Sequence, residues 1–248
     1  MHLILTGATG LVGSAVLHHM INTPSVTAVS ILSRRPVPQA EGHGKVKVII
    51  HKDFNTYPSD VLERLRGAEG CVWAQGISIT KVTKEEYQKI TYDYPLAAAR
   101  AFAGLAEPGI PFKFVYVSGE GATTSPGIFT AHFGLIKGRA EAALLALSKD
   151  PQFHNLRPFS LRPAGIDTTF HPEIRDWIPQ RKGMEMLVQT GLLPILRYTW
   201  GGMISPTRDL ARILTELASS DGAALEGKGI EGEGRIINNV GMRRLAGI

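Results

Sequence analysis

The sequence predicts an α/β protein: a doubly wound parallel sheet with helices on both faces. Three observations predict it. Short β-branched runs, nearly free of charge, alternate with helical patterns along the chain, as strands covered on both faces require. A glycine-rich turn lies directly between the first such run and the first helical stretch. The intervening segments are long enough for the crossover helices that parallel pairing demands.

The elements follow in order. LILT (3–6) is the first strand, and a helix runs from about Leu11 to Ile21. VTAVSILS (26–33), KVKVII (45–50), GCVWAQ (70–75), KFVYVS (113–118) and FSLRPA (159–164) supply five more strands. Thr83 and Glu86 form a capping box that starts a helix running to Leu105, before Pro108-Gly109. Ser205-Pro206 reads as a capping hydroxyl before a proline at the first helical position, with DLARILTELAS as the helix. LEGKGIEGEG (225–234) reads as an exposed loop. There is no internal repeat or low-complexity linker. Residues 1–248 are expected to form one domain, with 165–205 lying over the C-terminal edge of the sheet as a substrate cover.

Composition narrows the function classes. Lys and Arg number 27 against 22 Asp and Glu, a net charge of +5, but no basic stripe is interleaved with aromatics. Nucleic acid is therefore not an expected partner. The lone Cys71 permits no disulfide within the chain and reads as a small buried hydrophobe in a reducing, cytoplasmic setting. No signal peptide is visible, and no apolar run reaches the ~20 residues of a membrane span. The stretch GMEMLVQTGLLPILRYTW leaves peripheral membrane contact open, although Gly191 and Pro194 break it and favour a pocket-lining or core role. There is no HExxH and no Cys/His cluster, so no metal is expected. No GxSxG elbow is present either. His18 and His19 read as surface and packing residues.

The glycine turn carries the first functional signal. Gly7, Gly10 and Gly13 enclose Thr9, Leu11 and Val12, and no acidic residue lies nearby. A sharp turn, close approach of a diphosphate and tight helix–strand packing all require missing side chains. The helix N-terminus adds unpaired N–H groups and a partial positive charge. The second strand ends in Ser33-Arg34-Arg35 where an acidic residue would bind the ribose hydroxyl of NAD. Arginine suits a 2′-phosphate instead, which makes NADP (NADPH) the expected cofactor. Asp53 and Phe54 follow the third strand and are expected to border the adenine; Ala74, Gln75 and Gly76 end the fourth and leave room for the ribose.

The pieces TGATGLVG, LSRRP, CVWAQG, YDYPLAAARAF, FVYVSGEGA, KGRAEAAL, LRPAGI and SPTRDLARIL, in that order, resemble the atypical, extended branch of the short-chain dehydrogenase/reductase superfamily. The segments DYPLAAARAF and FKFVYVSGEGA are most similar to the Tat-interacting-protein-like oxidoreductases and to fungal epimerase-like proteins. The resemblance implies a Rossmann-type fold and a Ser, Tyr and Lys at the reacting centre. Ser118 and Lys137 stand in two of those places, both as catalytic residues, with Lys137 also on the nicotinamide ribose. The third place holds Phe133, which has no proton to exchange. Pro163, Gly165 and Ile166 match the segment that contacts the nicotinamide in the family.

Several side chains could replace the lost phenol. His132 is adjacent, but one helical residue turns it about 100° away. Tyr116 shares a strand face with Ser118 and otherwise reads as a core residue. Tyr92, Asp93 and Tyr94 lie on the long helix after the fourth strand, where Asp93 could orient water or Lys137. Tyr198 and His171 lie in the cover, which Trp177, Trp200 and the run from Leu187 to Leu196 make apolar. Three functions remain open: an NADP(H)-dependent oxidoreductase of a small, apolar carbonyl or alcohol, a cofactor-bound regulatory protein, and an isomerase or cyclase on the same scaffold. Monomer and homodimer are both compatible with this branch.

Overall fold

The computed structural model describes residues 1–179 and 201–248. Its strands are β1 (His2–Thr6), β2 (Ala28–Ser33), β3 (Val46–Ile50), β4 (Gly70–Trp73), β5 (Phe112–Val117) and β6 (Leu156–Leu161), then the short β7 (Gly165–Asp167), β8 (Ile204–Pro206), β9 (Ile230–Glu231) and β10 (Ile236–Ile237). The helices are α1 (Leu11–Asn22), α2 (Ser59–Leu65), α3 (Lys84–Gln88), α4 (Tyr94–Phe102), α5 (His132–Ser148), α6 (Thr207–Ser219) and α7 (Asn239–Ala246).

Among the described residues, eight strands form one sheet in the order β3-β2-β1-β4-β5-β6-β10-β9. All pairings are parallel except β9 against β10. The order reverses beside β1, so the loops after β1 and β4 diverge and leave a crevice at their C-terminal ends. Alternating side chains divide the core. Leu3, Leu5, Val72 and Val115 pack on one face with α1 and α6. Ile4, Cys71, Trp73, Phe114 and Tyr116 pack on the other with residues of α2, α4 and α5.

Three local expectations need revision. Ser205 does not cap the following helix: it lies on β8, accepts from the Ala164 amide (2.9 Å) and donates to Asn239 Oδ1 (2.6 Å). Pro206 holds the N-cap position, and the helix starts at Thr207. The glycine-rich stretch 225–234 is not wholly loop, since β9 forms within it and closes the sheet edge.

The helix expected over 83–105 begins with the capping box of Thr83 and Glu86. It then passes through a π-helical turn, Lys89–Asp93, before continuing as α4. Pro95 is the physical cause. It has no N–H for the carbonyl of Thr91, four residues earlier. The buried Tyr116 hydroxyl donates to that carbonyl instead (3.0 Å).

Candidate active site

The glycine turn is built on contact distances. Gly7 has φ +70°, and a Cβ there would lie 2.4 Å from the Ala74 carbonyl oxygen. A Cβ on Gly13 would lie 2.0 Å from the Gly7 carbonyl oxygen. Only glycine lets β1, the turn, α1 and the end of β4 approach this closely. Gly10 is the N-cap of α1, with no capping side chain and no acid in the first turn. The helix thus presents unneutralised amides and its positive end.

A cavity of about 510 Å³ opens there. Gly7, Thr9 and Gly10 line it on one side, Leu32, Ser33, Arg34 and Arg35 on the second, and Ala74, Gln75 and Gly76 on the third. Arg35 Nη2 donates to Thr9 Oγ1 (3.0 Å), which joins the end of β2 to the turn. Pro179 adds a wall from the segment after β7. Leu11 and Val12 contribute as first-turn backbone; the Val12 side chain is buried in the core.

Asp53 and Phe54 lie outside this lining. The exposed Asp53 carboxylate accepts from the Asn55 amide (3.1 Å) and Thr56 Oγ1 (2.9 Å), and these bonds hold its pKa below the ordinary value. Phe54 is buried among His51, Trp73 and Tyr94.

The second cluster lies at the end of β5. The Ser118 amide donates to the Leu161 carbonyl (2.8 Å), which extends the β5–β6 ladder by one residue. Its hydroxyl is buried and has no hydrogen-bond partner among the described residues. Lys137, on α5, donates from Nζ to the carbonyls of Ser118 (2.7 Å) and Val117 (3.3 Å). The Tyr116 ring lies 5.8 Å from Nζ. Burial pulls the Lys137 pKa down to about 8, with Glu141 one turn along the helix opposing the shift.

Phe133 lies one turn before Lys137, and its ring edge is set against Gly121, where a Cβ would meet Cζ at 3.1 Å. The small residues Gly134 and Gly138 let the loop after Ser118 press onto α5: a Cβ on either would fall within 2.2 Å of a loop carbonyl. Their spacing of four on one helix was the available signal. A second feature, missed from sequence, is the buried pair of Glu141 and Arg162. Arg162 donates from Nε (2.9 Å) and Nη2 (2.5 Å) to Glu141, and from Nη1 to Glu231 (3.0 Å). An arginine at the end of an apolar strand, with a glutamate four residues after Lys137, was the hint.

The His132 ring lies against Tyr87, with centroids 6.4 Å apart, and its buried Nε2 has no hydrogen-bond partner among the described residues. Asp93 is exposed. The Tyr92 ring lies under Arg139, and Tyr94 packs on Phe54. His171 is buried, with Nδ1 on Thr207 Oγ1 and Nε2 on His18 Nδ1, both at 3.1 Å, and burial brings its pKa to about 4. Buried Pro163 accepts from the Glu120 amide (2.8 Å), and Ile166 is half-buried on β7. Trp177 is partly exposed. Tyr198, Trp200 and the run 187–196 lie outside the described residues. Among those described, no group of three or more His, Cys, Asp or Glu side chains could hold a metal, and no helix is long and apolar enough to cross a membrane.

These residues fit a dinucleotide. The cradle that a Cβ would fill suits a diphosphate, and the unpartnered Ser118 hydroxyl suits a ligand oxygen.

No family model matches the chain. The chain is 36% identical over 260 residues to Leucinostatins biosynthesis cluster protein T of Purpureocillium lilacinum, covering 98% of this chain and 94% of that protein. It superposes with a TM-score of 0.66 on a short-chain dehydrogenase/reductase from Mycobacterium ulcerans, at 16% identity over 97% of this chain and 89% of that one. A second neighbour is the Bordetella bronchiseptica enzyme WbmF in complex with NAD+, with TM-score 0.64 and 13% identity over 99% and 78% of the two chains. The chain belongs to the same family as the Purpureocillium protein, and its fold is that of the short-chain dehydrogenases/reductases. On this fold, the glycine cradle lies at one end of the crevice and the Ser118–Lys137 cluster follows β5.

Proposed function

We propose that the protein is an NADP(H)-dependent oxidoreductase acting on a small, largely apolar carbonyl or alcohol, without the phenol that usually handles the proton. The observation that carries this reading is the Ser118 hydroxyl, buried and unpaired on the residue whose carbonyl holds the Lys137 ammonium. An unsatisfied buried hydroxyl costs about 1–3 kcal/mol, so the arrangement favours a ligand oxygen that completes it. The bound cofactor would supply or accept the hydride. Gly7, Gly10 and Gly13 admit its diphosphate to the α1 amides, and Lys137 fixes the end of β5 through two carbonyls. Ser118 would orient the reacting oxygen. The biosynthesis-cluster name of the Purpureocillium relative suits a tailoring step on a biosynthetic intermediate.

The preference for the phosphorylated dinucleotide rests on Arg34 and Arg35, which line the cavity where no acidic side chain does among the described residues. The test is titration with NADPH and NADH. Arg34→Ala should weaken NADPH by about 10–100-fold, the value of one charge-assisted contact, and leave NADH unchanged. Equal weakening of both would refute the assignment. Phe133 favours a second reading, a cofactor-bound regulatory protein; tight NADPH binding with no turnover across a carbonyl panel would establish it.

A further inference from the structure

We propose that the Lys137 ammonium is itself the proton donor to the substrate oxygen, the part for which Phe133 has no chemistry. The inference rests on the oxidoreductase reading above and names a residue role within it.

Elimination supplies the first half. The Tyr116 hydroxyl is committed to the Thr91 carbonyl that Pro95 leaves without a helical donor. The His132 ring lies against Tyr87, and although its buried Nε2 is unpartnered among the described residues, one helical residue turns it about 100° from the α5 face that carries Phe133 and Lys137. The Tyr92 ring is covered by Arg139, and Asp93 is out in solvent. Phe133 occupies the phenol's place with its edge on Gly121. Among the described residues, that leaves Ser118 and Lys137 at the end of β5. A serine hydroxyl is far too weak an acid to release its proton, and it serves to orient.

Geometry supplies the second half. Lys137 lies one turn beyond Phe133 on α5, on the same face. Two of its three donors hold the carbonyls of Val117 and Ser118, which pins Nζ at the residue whose hydroxyl lacks a partner. The third donor is left for a ligand oxygen. The titratable groups against Lys137 are Tyr116 from β5 and Glu141 from α5, whose carboxylate is held in turn by Arg162 after β6. Near neutral pH the group is protonated but close to releasing its proton, as a general acid should be.

The step balances. The carbonyl carbon gains a hydride from the reduced nicotinamide dinucleotide, and the C=O π pair moves to oxygen. One N–H bond of Lys137 breaks as the O–H bond forms. The neutral amine then takes a proton from water.

The test uses the whole chain with NADPH and an aryl 1,2-diketone as an activated probe, alongside a panel of other carbonyls. Lys137→Arg keeps the charge and the donors but cannot release a proton. It should lose about 10²-fold or more in turnover at saturating NADPH. The wild-type rate should fall roughly tenfold per pH unit above about 8, and the Lys137 side chain should titrate near that value by NMR in the free protein. Undiminished turnover in Lys137→Arg, a wild-type rate flat to about pH 10, or titration at the ordinary 10.5 would overturn the assignment and leave the oxidoreductase reading standing. A wild type that binds NADPH yet reduces no carbonyl would sink the reading, and this role with it. If Lys137→Arg does not fold, the wild-type pH profile and the NMR titration decide.

Discussion

Glu141→Leu should destabilise the protein severely, and the structure sets the size. Glu141 on α5 has no exposed surface, and Arg162 at the end of β6 is 6% exposed. The carboxylate takes two guanidinium nitrogens, and Nη1 reaches the half-exposed Glu231 on β9. One arginine thus fastens α5, β6 and the closing strand together. Removing one partner of a buried pair costs about 3–5 kcal/mol, because the remaining charge is stranded. Glu231 offsets part of that, so the expected loss is about 2–4 kcal/mol. At about 2–4 °C per kcal/mol for a domain of this size, Tm should fall by roughly 5–15 °C in a thermal melt at neutral pH. Glu141→Leu with Arg162→Leu should recover much of the loss, since two apolar groups strand no charge. The reasoning fails if the single variant loses less than about 1 kcal/mol, or if the double variant is worse than the sum of the singles. There is a functional corollary. Glu141 raises the Lys137 pKa, so the same variant should titrate Lys137 below about 8.

Gly13→Ala would place a methyl 2.0 Å from the Gly7 carbonyl oxygen, against 3.4 Å for ordinary contact, so α1 must withdraw by about 3.4 − 2.0 = 1.4 Å. We expect a loss of about 1–3 kcal/mol in denaturant titration and at least tenfold weaker NADPH binding; wild-type affinity would contradict the cradle. Stability should also rise with pH between about 8 and 10.5. There the folded protein has released the Lys137 proton while the unfolded chain still holds it, so deprotonation favours folding. Lys137→Met should abolish that rise in Tm, and an unchanged slope would show that Lys137 is not the group responsible.

The legible part of the fold was the part set by burial on both faces. β1 to β6 carry dense apolar runs because helices cover both sides of the sheet, and the Thr83 capping box is complete within four residues. The illegible parts depend on distant partners. Ser205-Pro206 has the same local pattern as a helix start, but Ala164 and Asn239 engage the hydroxyl and keep it on a strand. β9 and β10 are two residues each, too short for any periodicity. At the site, the glycine turn was legible because its constraint is steric and local. The directions of Asp53 and Phe54 were not, because a turn closed by Thr56 sends one side chain outward and the next into the core. The Glu141–Arg162 pair joins residues 21 apart, and their distance in sequence hides it.

Phe133→Tyr looks like a simple repair of the missing proton donor, but the packing argues otherwise. The ring atom that would carry the hydroxyl, Cζ, is the one nearest the space over Gly121, with Cε2 next at 3.5 Å. The approach is along the ring edge, so an added oxygen points into the loop after Ser118 instead of into open space. That loop cannot easily retreat. Gly134 and Gly138 hold its carbonyls against α5, and the Glu120 amide ties it to Pro163. Overpacking of this kind costs about 1–3 kcal/mol, and movement of the loop would carry Ser118 with it. We therefore expect Phe133→Tyr to melt earlier than wild type and to raise diketone reduction by less than about tenfold, below the 10²–10⁴-fold that a well-placed general acid contributes. A variant that is as stable as wild type and a hundredfold faster would show that the place was open to a phenol all along, and that the close approach at Gly121 does not constrain the chemistry.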